Sequence, residues 1–213
     1  MGLTHKTYFY IIEVIMKNKQ REFLTKDEAL NLLRQPDKKK LEGLRDYCIL
    51  SLMLITGLRR AEICDLKRSS LQTEGDEVNL IIHGKGGKIR INPVPDLDLL
   101  KYLYKYFKRI GNLYLPDSSM FYNLRMIPVG HPCPITWSTI RYLIPKYVKM
   151  AGIRKRITPH SLRHTFLTLT LQAGADLATV RDLAGHSNVS VTSIYLHTTE
   201  ERKKEAVERL RLS

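Results

Sequence analysis

The stretch Leu41–Thr56, LEGLRDYCILSLMLIT, constrains the fold more than any other. From Cys48 to Ile55 its apolar residues leave almost no polar side, so a helix built from them has no face to give to water. Such a helix has to be surrounded, and the rest of the chain must supply what surrounds it. Gly57 is placed to end it, and Arg59 begins a short helix through Leu66.

The surrounding elements can be read in order. Thr25-Lys26-Asp27-Glu28 has the spacing of a capping box and opens a helix to about Arg34, which Pro36-Asp37 breaks. Residues 1–20 form an appendage, a strand or short helix, followed by a basic linker from Lys17 to Arg21. Val78–Ile82 and Ile89–Val94 read as two strands joined by His83-Gly84-Lys85-Gly86-Gly87-Lys88, a hairpin with a flexible basic tip. Asp96–Ile110 reads as a helix whose tract KYLYKYFKR interleaves Lys101, Lys105, Lys108 and Arg109 with aromatics. That mixture suits a nucleic-acid backbone, but the favoured reading is an amphipathic helix with its aromatics inward. Residues 111–135 carry Pro116, Pro128, Pro132 and Pro134 and read as a loop with one short strand. Ile135–Ala151 is a further helix, opened by Thr136 or Ser138 and stopped by Gly152.

Thr158-Pro159 starts the next helix, with Thr as N-cap and Pro in the first turn, and Leu162, Phe166, Leu169 and Thr170 are expected to face the core. After Ala173-Gly174, Asp176 caps a helix to Leu183 or Ala184, and Gly185 turns the chain. A short helix is expected over 191–196. The charged segment 199–210, TEERKKEAVERL, places Ala206, Val207 and Leu210 on one thin stripe that suits docking on another subunit. The sum is a mainly α fold with a small antiparallel β-sheet.

Composition narrows the partner. With 213 residues the chain can bury a core, and its net charge of +14 points to a polyanion, nucleic acid before all others. Ribosomal and membrane-surface proteins share that balance, while 43% hydrophobic residues argue against a disordered basic tail. The apolar run from Phe9 to Met16 is too short to span a membrane and has no small-residue cleavage site after it. Cys48, Cys64 and Cys133 form no C-x-x-C pair. The first two read as buried core thiols, and the set fits a reducing cytoplasm rather than a disulfide framework.

The chemistry-bearing residues gather in four places. His160 and Arg163 are three apart on one helix face, so they can converge on one ligand group. His186 follows Gly185, Tyr195 comes soon after, and Arg59 and Lys85 lie far upstream. A metal-free phosphodiester transfer would use these types. Guanidinium forks stabilise charge on non-bridging oxygens, a lysine on a hairpin protonates a leaving alkoxide, and a tyrosine attacks. Histidines would bond phosphate or move protons. Taken singly, each has a plainer explanation: a capping arginine, hairpin decoration, a packed aromatic. His160 and His164, four apart, have no Glu or Cys at ligand spacing, so no metal site is expected.

The ordered set says more than its members. TGLRRAEI (56–63), HGKGGKIR (83–90), HSLRHTF (160–166) and LAGHSNVSVTSIY (183–195) closely resemble the signature boxes of the tyrosine recombinase (phage integrase) family. The resemblance covers 23–200, the catalytic domain. It implies that Arg59 and Arg163 bind the scissile phosphate and that Lys85 protonates the 5′-hydroxyl, with Lys88 a weaker rival. By the same carry-over His160 assists proton transfer, His186 contacts phosphate, and Tyr195 forms a 3′-phosphotyrosyl link.

The implied partners are double-stranded DNA and other copies of the chain. Four protomers would synapse two duplexes and pass through a Holliday junction, monomers or weak oligomers would exist free, and accessory DNA-bending proteins could take part. No cofactor, metal or membrane is implied, and the location is cytoplasmic, at the nucleoid when DNA-bound. The domain expectation is an appendage at 1–22, the catalytic domain at 23–198 and a C-terminal helix at 199–213. Family members usually carry an N-terminal clamp domain, where this sequence has only the appendage. Truncation, a minimal recombinase or a clamp on a separate protein are the three expectations. The rivals are a type IB topoisomerase, which typically has lysine where His160 stands, a DNA-binding integrase relative that does not cut, and a basic RNA-binding protein.

Overall fold

The computed structural model describes residues 22–111, 116–124 and 133–185, with the backbone alone for Lys85, Leu177 and Arg181. Seven α-helices and one three-stranded sheet lie among them.

At the centre is α2 (Leu41–Thr56), as its composition requires. Leu44, Cys48, Ile49, Leu50, Leu52 and Met53 are fully covered. Each buried aliphatic side chain of this size contributes on the order of 1.5–3 kcal/mol, so this one helix supplies a large part of the core. Leu54 and Ile55 are only half-buried, where the helix nears the site. Its first half hides polar groups as well: Arg45 and Asp46 are buried on it.

The helix ends at Gly57 in the left-handed conformation (φ 62°), whose N–H donates to the Met53 carbonyl. A Cβ at Gly57 would stand 2.3 Å from the Phe166 ring, so glycine is required twice over, by conformation and by space. Arg59 caps α3 (Arg60–Asp65).

Before the core helix, α1 (Lys26–Arg34) starts with the expected capping box: Thr25 accepts from the Glu28 N–H while Glu28 accepts from the Thr25 N–H. After it, β1 (Leu71–Glu74), β2 (Glu77–His83) and β3 (Ile89–Pro93) form an antiparallel sheet in chain order. Its register pairs Leu71 with Leu80 and His83 with Ile89. The hairpin of β2 and β3 was expected; β1 was not, because Leu71-Gln72-Thr73-Glu74 has one apolar residue and is half-buried only at that residue.

β3 is turned the other way from its sequence pattern. Ile89 and Ile91 are each 60% exposed, while Arg90 and Asn92 point inward.

Helix α4 (Leu97–Ile110), capped by Asp96, packs on α2 with Leu103, Tyr106 and Phe107 buried. Its lysines Lys101, Lys105 and Lys108 are exposed and Tyr106 and Phe107 buried, so the amphipathic reading of KYLYKYFKR holds except at Tyr104, which faces outward at 64% exposure. In place of a short strand, the described part of 111–135 makes two isolated bridges, Lys67 to Ser119 and Tyr122 to Pro134. Helix α5 (Trp137–Met150) carries Pro145 within it and is capped by Thr136.

Helix α6 (Pro159–Gln172) packs against α2 and is buried over more of its circumference than expected. Leu162 and Phe166 face inward as predicted, joined by Leu167 and Leu171, whereas Leu169 and Thr170 are only half-buried. Helix α7 (Leu177–Ala184) starts where Asp176 accepts from the Thr179 N–H. Together α6 and α7 close a second small core of Phe166, Leu167, Leu171, Val180 and Ala184. This places the C-terminus of α7 against the start of α3 and the inward face of β3.

All three cysteines are free: Cys48 is buried, Cys64 half-buried rather than buried, and Cys133 exposed. Burial pushes the Cys64 thiol up to about 11. No helix among the described residues is long and apolar enough to cross a membrane. The appendage up to Arg21 and everything from His186 onward, including the expected helices at 191–196 and 199–210, lie outside the described residues.

Candidate active site

The last carbonyls of a helix have no partner within it and carry partial negative charge. At the end of α7 they are met by side chains from three separate segments. Asn92 Nδ2, on β3, donates to the Leu183 carbonyl (3.1 Å) and to the Thr56 carbonyl at the end of α2 (2.8 Å). Arg163, on α6, donates from Nη1 to the Gly57 carbonyl (2.6 Å) and from Nη2 to the Ala184 carbonyl. Arg59, at the N-cap of α3, reaches the Gly185 carbonyl from Nη2 (3.3 Å). Three consecutive carbonyls, 183 to 185, are thus held by three donors. The turn that delivers the chain to His186 is fixed against the end of α2.

Arg59 and Arg163 therefore meet at neighbouring carbonyls, although their environments differ. Arg163 is buried at 4% exposure, whereas the Arg59 side chain is 42% exposed and opens to solvent. The orientation of Arg59 comes from Glu62, three residues on in the same helical turn. Its Nη1 donates to Glu62 Oε1 (2.8 Å), and its backbone N–H donates to Glu62 Oε2 (2.7 Å). Glu62 is itself held from β3 by a two-pronged contact: Arg90 Nη1 to Oε1 (2.8 Å) and Nη2 to Oε2 (2.7 Å). Burial pushes the Glu62 carboxyl up. Arg90's hydrogen bonds, the Arg59 N–H and Arg90's charge together pull it further the other way, to about 2. One carboxylate between two guanidinium groups leaves a net positive charge, presented by Arg59.

His160 is exposed in the first turn of α6, one turn ahead of Arg163. His164, its neighbour four residues on, lies against Phe23 (ring centroids 5.1 Å apart) with Nδ1 3.2 Å from Thr168 Oγ1. The hairpin bearing Lys85 tightens into a single 3-10 turn, Lys85–Gly87, with Gly86 and Gly87 at positive φ. Its root lies beside Glu62: a Cβ on Gly84 would be 4.0 Å from Glu62 Oε1. Lys88 is exposed just before β3. Of the expected site residues, Arg59 and Arg163 are brought together, and His160 stands a turn away from them. Lys85 is placed by its backbone alone, and His186 and Tyr195 lie outside the described residues.

Glu62, Arg90 and Asn92 were not anticipated as parts of the site. Glu62 had a signal, the capping-box spacing from Arg59. Arg90 and Asn92 had none, because an alternating Ile-Arg-Ile-Asn strand reads most simply with its isoleucines inward.

The sequence model of the phage integrase family matches residues 22–202. The chain belongs to the phage integrase family. A relative named tyrosine recombinase, from Pseudothermotoga lettingae, is 39% identical over 189 residues, 89% of this chain and 60% of its own length. Tyrosine recombinase XerD of Staphylococcus haemolyticus is 37% identical over 192 residues, 86% of this chain and 60% of the relative. This phage integrase chain thus spans about three-fifths of the length of the curated relatives it matches. Among solved structures, XerA recombinase aligns with a TM-score of 0.70 at 30% identity over 90% of this chain and 66% of its own. XerH site-specific recombinase, in a post-cleavage complex with a palindromic difH substrate, aligns at 0.75 and 24% identity. That match covers 89% of this chain and 53% of the other, and it bears on the fold.

Proposed function

We propose that this chain is the catalytic part of a site-specific DNA recombinase that cuts and rejoins strands through a 3′-phosphotyrosyl intermediate. The observation that carries the reading is the meeting of Arg59 and Arg163 at the 184–185 carbonyls, directly before His186. A phosphodiester entering there would meet the exposed side of Arg59. Arg163 would exchange a neutral carbonyl for an anionic phosphate oxygen, which makes the stronger hydrogen bond. The Tyr195 hydroxyl passes its proton to His160 as its oxygen attacks phosphorus and the bond to the 5′-oxygen breaks, and Lys85 donates the proton that the departing oxygen takes up. His160 assists proton transfer and His186 contacts the phosphate.

Supporting this reading, the curated relatives are named tyrosine recombinases, XerA at 30% identity is named a recombinase, and the net charge of +14 suits a duplex. The comparisons do not favour the topoisomerase or non-cutting alternatives. The partners proposed are duplex DNA and further copies of the chain in a tetrameric synapse, with DNA-bending accessory proteins. The chain is proposed to work in the cytoplasm, at the nucleoid when bound to DNA. Binding weakens steeply with salt, because most of its free energy comes from neutralised phosphates.

The test is covalent trapping. A pool of nicked duplexes with randomised sequence around the nick is incubated with the chain in EDTA, and adducts are resolved on a denaturing gel. The expected result is an adduct that forms with wild type and is absent from Tyr195→Phe. An adduct that persists in Tyr195→Phe, or none from wild type on duplexes it binds, overturns the reading.

A further inference from the structure

β3 turns its two polar side chains inward and leaves Ile89 and Ile91 in water, the reverse of what burial of apolar area alone would select. The inward positions are therefore held by something other than hydrophobic gain, and the contacts show what it is. Asn92 fastens the end of α2 to the end of α7. Arg90, at 10% side-chain exposure, forks onto both oxygens of Glu62, and those same oxygens receive Arg59 Nη1 and the Arg59 N–H. Arg90 also fills the space beside the turn at Gly185: a Cβ there would stand 3.0 Å from its Cδ.

We infer that Arg90 is a positioning residue for the strand-cleavage reaction, acting through Glu62 to hold the Arg59 guanidinium toward the scissile phosphate. The inference rests on the proposed recombinase reading. Without Arg90, Glu62 keeps Arg59 as its one cationic partner among the described side chains. A carboxylate so deeply placed would then draw the Arg59 fork inward onto itself, away from the phosphate. With Arg90 present, half of the carboxylate's bonding is satisfied from below, and Arg59 keeps an outward side. The fork geometry is what matters: a lysine in its place brings one compact charge and cannot span both oxygens. Arg90 need not touch DNA for this. It sets the direction of a residue that does.

The experiment is single-turnover adduct formation, with protein in excess over a nicked duplex selected from the pool above. Wild type is compared with Arg90→Met and Arg90→Lys. The first-order rate is expected to fall about 10²-fold in Arg90→Met, the scale of a lost oxyanion donor. Affinity for the duplex, from fluorescence anisotropy, is expected to move less than about threefold, since an interaction made in the transition state is the one lost. Arg90→Lys is expected to recover only a small part of the rate.

A duplex with a methylphosphonate at the cleaved position separates positioning from mere support of the fold. That group lacks one non-bridging charge and leans less on Arg59, so the Arg90→Met deficit should shrink on it. A variant that is only less well folded shows the same deficit on both duplexes. Should Arg90→Met lack a folded circular-dichroism spectrum, Arg90→Lys is read against the same two duplexes. Wild-type rates in the variants, full recovery by lysine, or equal deficits on both duplexes overturn the inference while the adduct itself stands. Absence of any wild-type adduct overturns the recombinase reading and this inference together.

Discussion

Glu62 and Asp46 are both buried carboxylates, and each is met by an arginine. Arg45 places Nε and Nη2 on the same oxygen of Asp46, at 2.9 and 2.7 Å, and sends Nη1 to the Tyr122 carbonyl. The other oxygen accepts from the Tyr147 hydroxyl (2.9 Å), and Lys146 stays 3.9 Å away. Burial pushes the Asp46 carboxyl up, and Arg45, Tyr147 and Lys146 together do not bring it back. Glu62 receives two donors on each oxygen, from two arginines, and its carboxyl ends far below the ordinary range. In the first arrangement two carboxylates, Asp46 and Glu42, balance two cations, Arg45 and Lys146, so no charge is left over and the cluster ties elements together. The second leaves one positive charge in excess and turns it toward solvent. A carboxylate meets two cations in both places; whether a second carboxylate cancels the surplus, and where the surplus points, distinguish a brace from a site.

The comparison is tested most severely at the brace. Asp46→Ala leaves Arg45 buried without its counter-ion and is expected to cost about 3–5 kcal/mol in urea denaturation. Arg45→Met should cost a similar amount, and the double variant clearly less than the two singles added. Strictly additive costs would show that the pair is no unit. At the site the pattern should invert. Arg59→Ala leaves Glu62 still paired with Arg90, so stability is expected to change by less than about 1 kcal/mol, while adduct formation falls about 10²–10³-fold. An Arg59→Ala protein that melts like Asp46→Ala but cuts like wild type would reverse the assignment of the two regions.

How far the sequence alone reached follows the same division. The core helix, its glycine stop, the capping box at Thr25 and the helix from Pro159 depend on local chemistry, and they stand where they were expected. Arg59 and Arg163 were identifiable because the family's boxes carry them. What escaped is what joins segments distant in the chain. Arg90 and Asn92 alternate with isoleucines, and nothing local says that the polar side of the strand faces in. Only the carbonyls of Thr56 and Leu183 and the Glu62 carboxylate, brought there by other elements, make that orientation favourable. Asp46 likewise carried no local signal, because Tyr147, which bonds it, arrives from α5. Strand β1 was missed for a related reason: it gains its place by pairing with β2 rather than by burying a face.

The most discriminating expected effect concerns a sign. A carboxylate whose folded pKa lies below its unfolded value adds stability above the unfolded pKa and loses it as pH falls through the folded one. For Glu62 the window runs from 4.5 down to about 2. The stability difference between wild type and Glu62→Gln should therefore be level from neutrality to near pH 4.5 and shrink below it. Asp46 has its folded pKa raised above 3.8. Its folded form takes up a proton more readily than the unfolded chain, so wild type should gain on Asp46→Asn as pH falls toward 3.8. Urea midpoints of the three proteins across this range measure both slopes. Slopes of opposite sign uphold the distinction between a carboxylate held charged for a site and one that burial holds back from ionising. Slopes of the same sign would mean that Arg45 dominates Asp46 as fully as the two arginines dominate Glu62, and the brace would then differ from the site only in where its charge points.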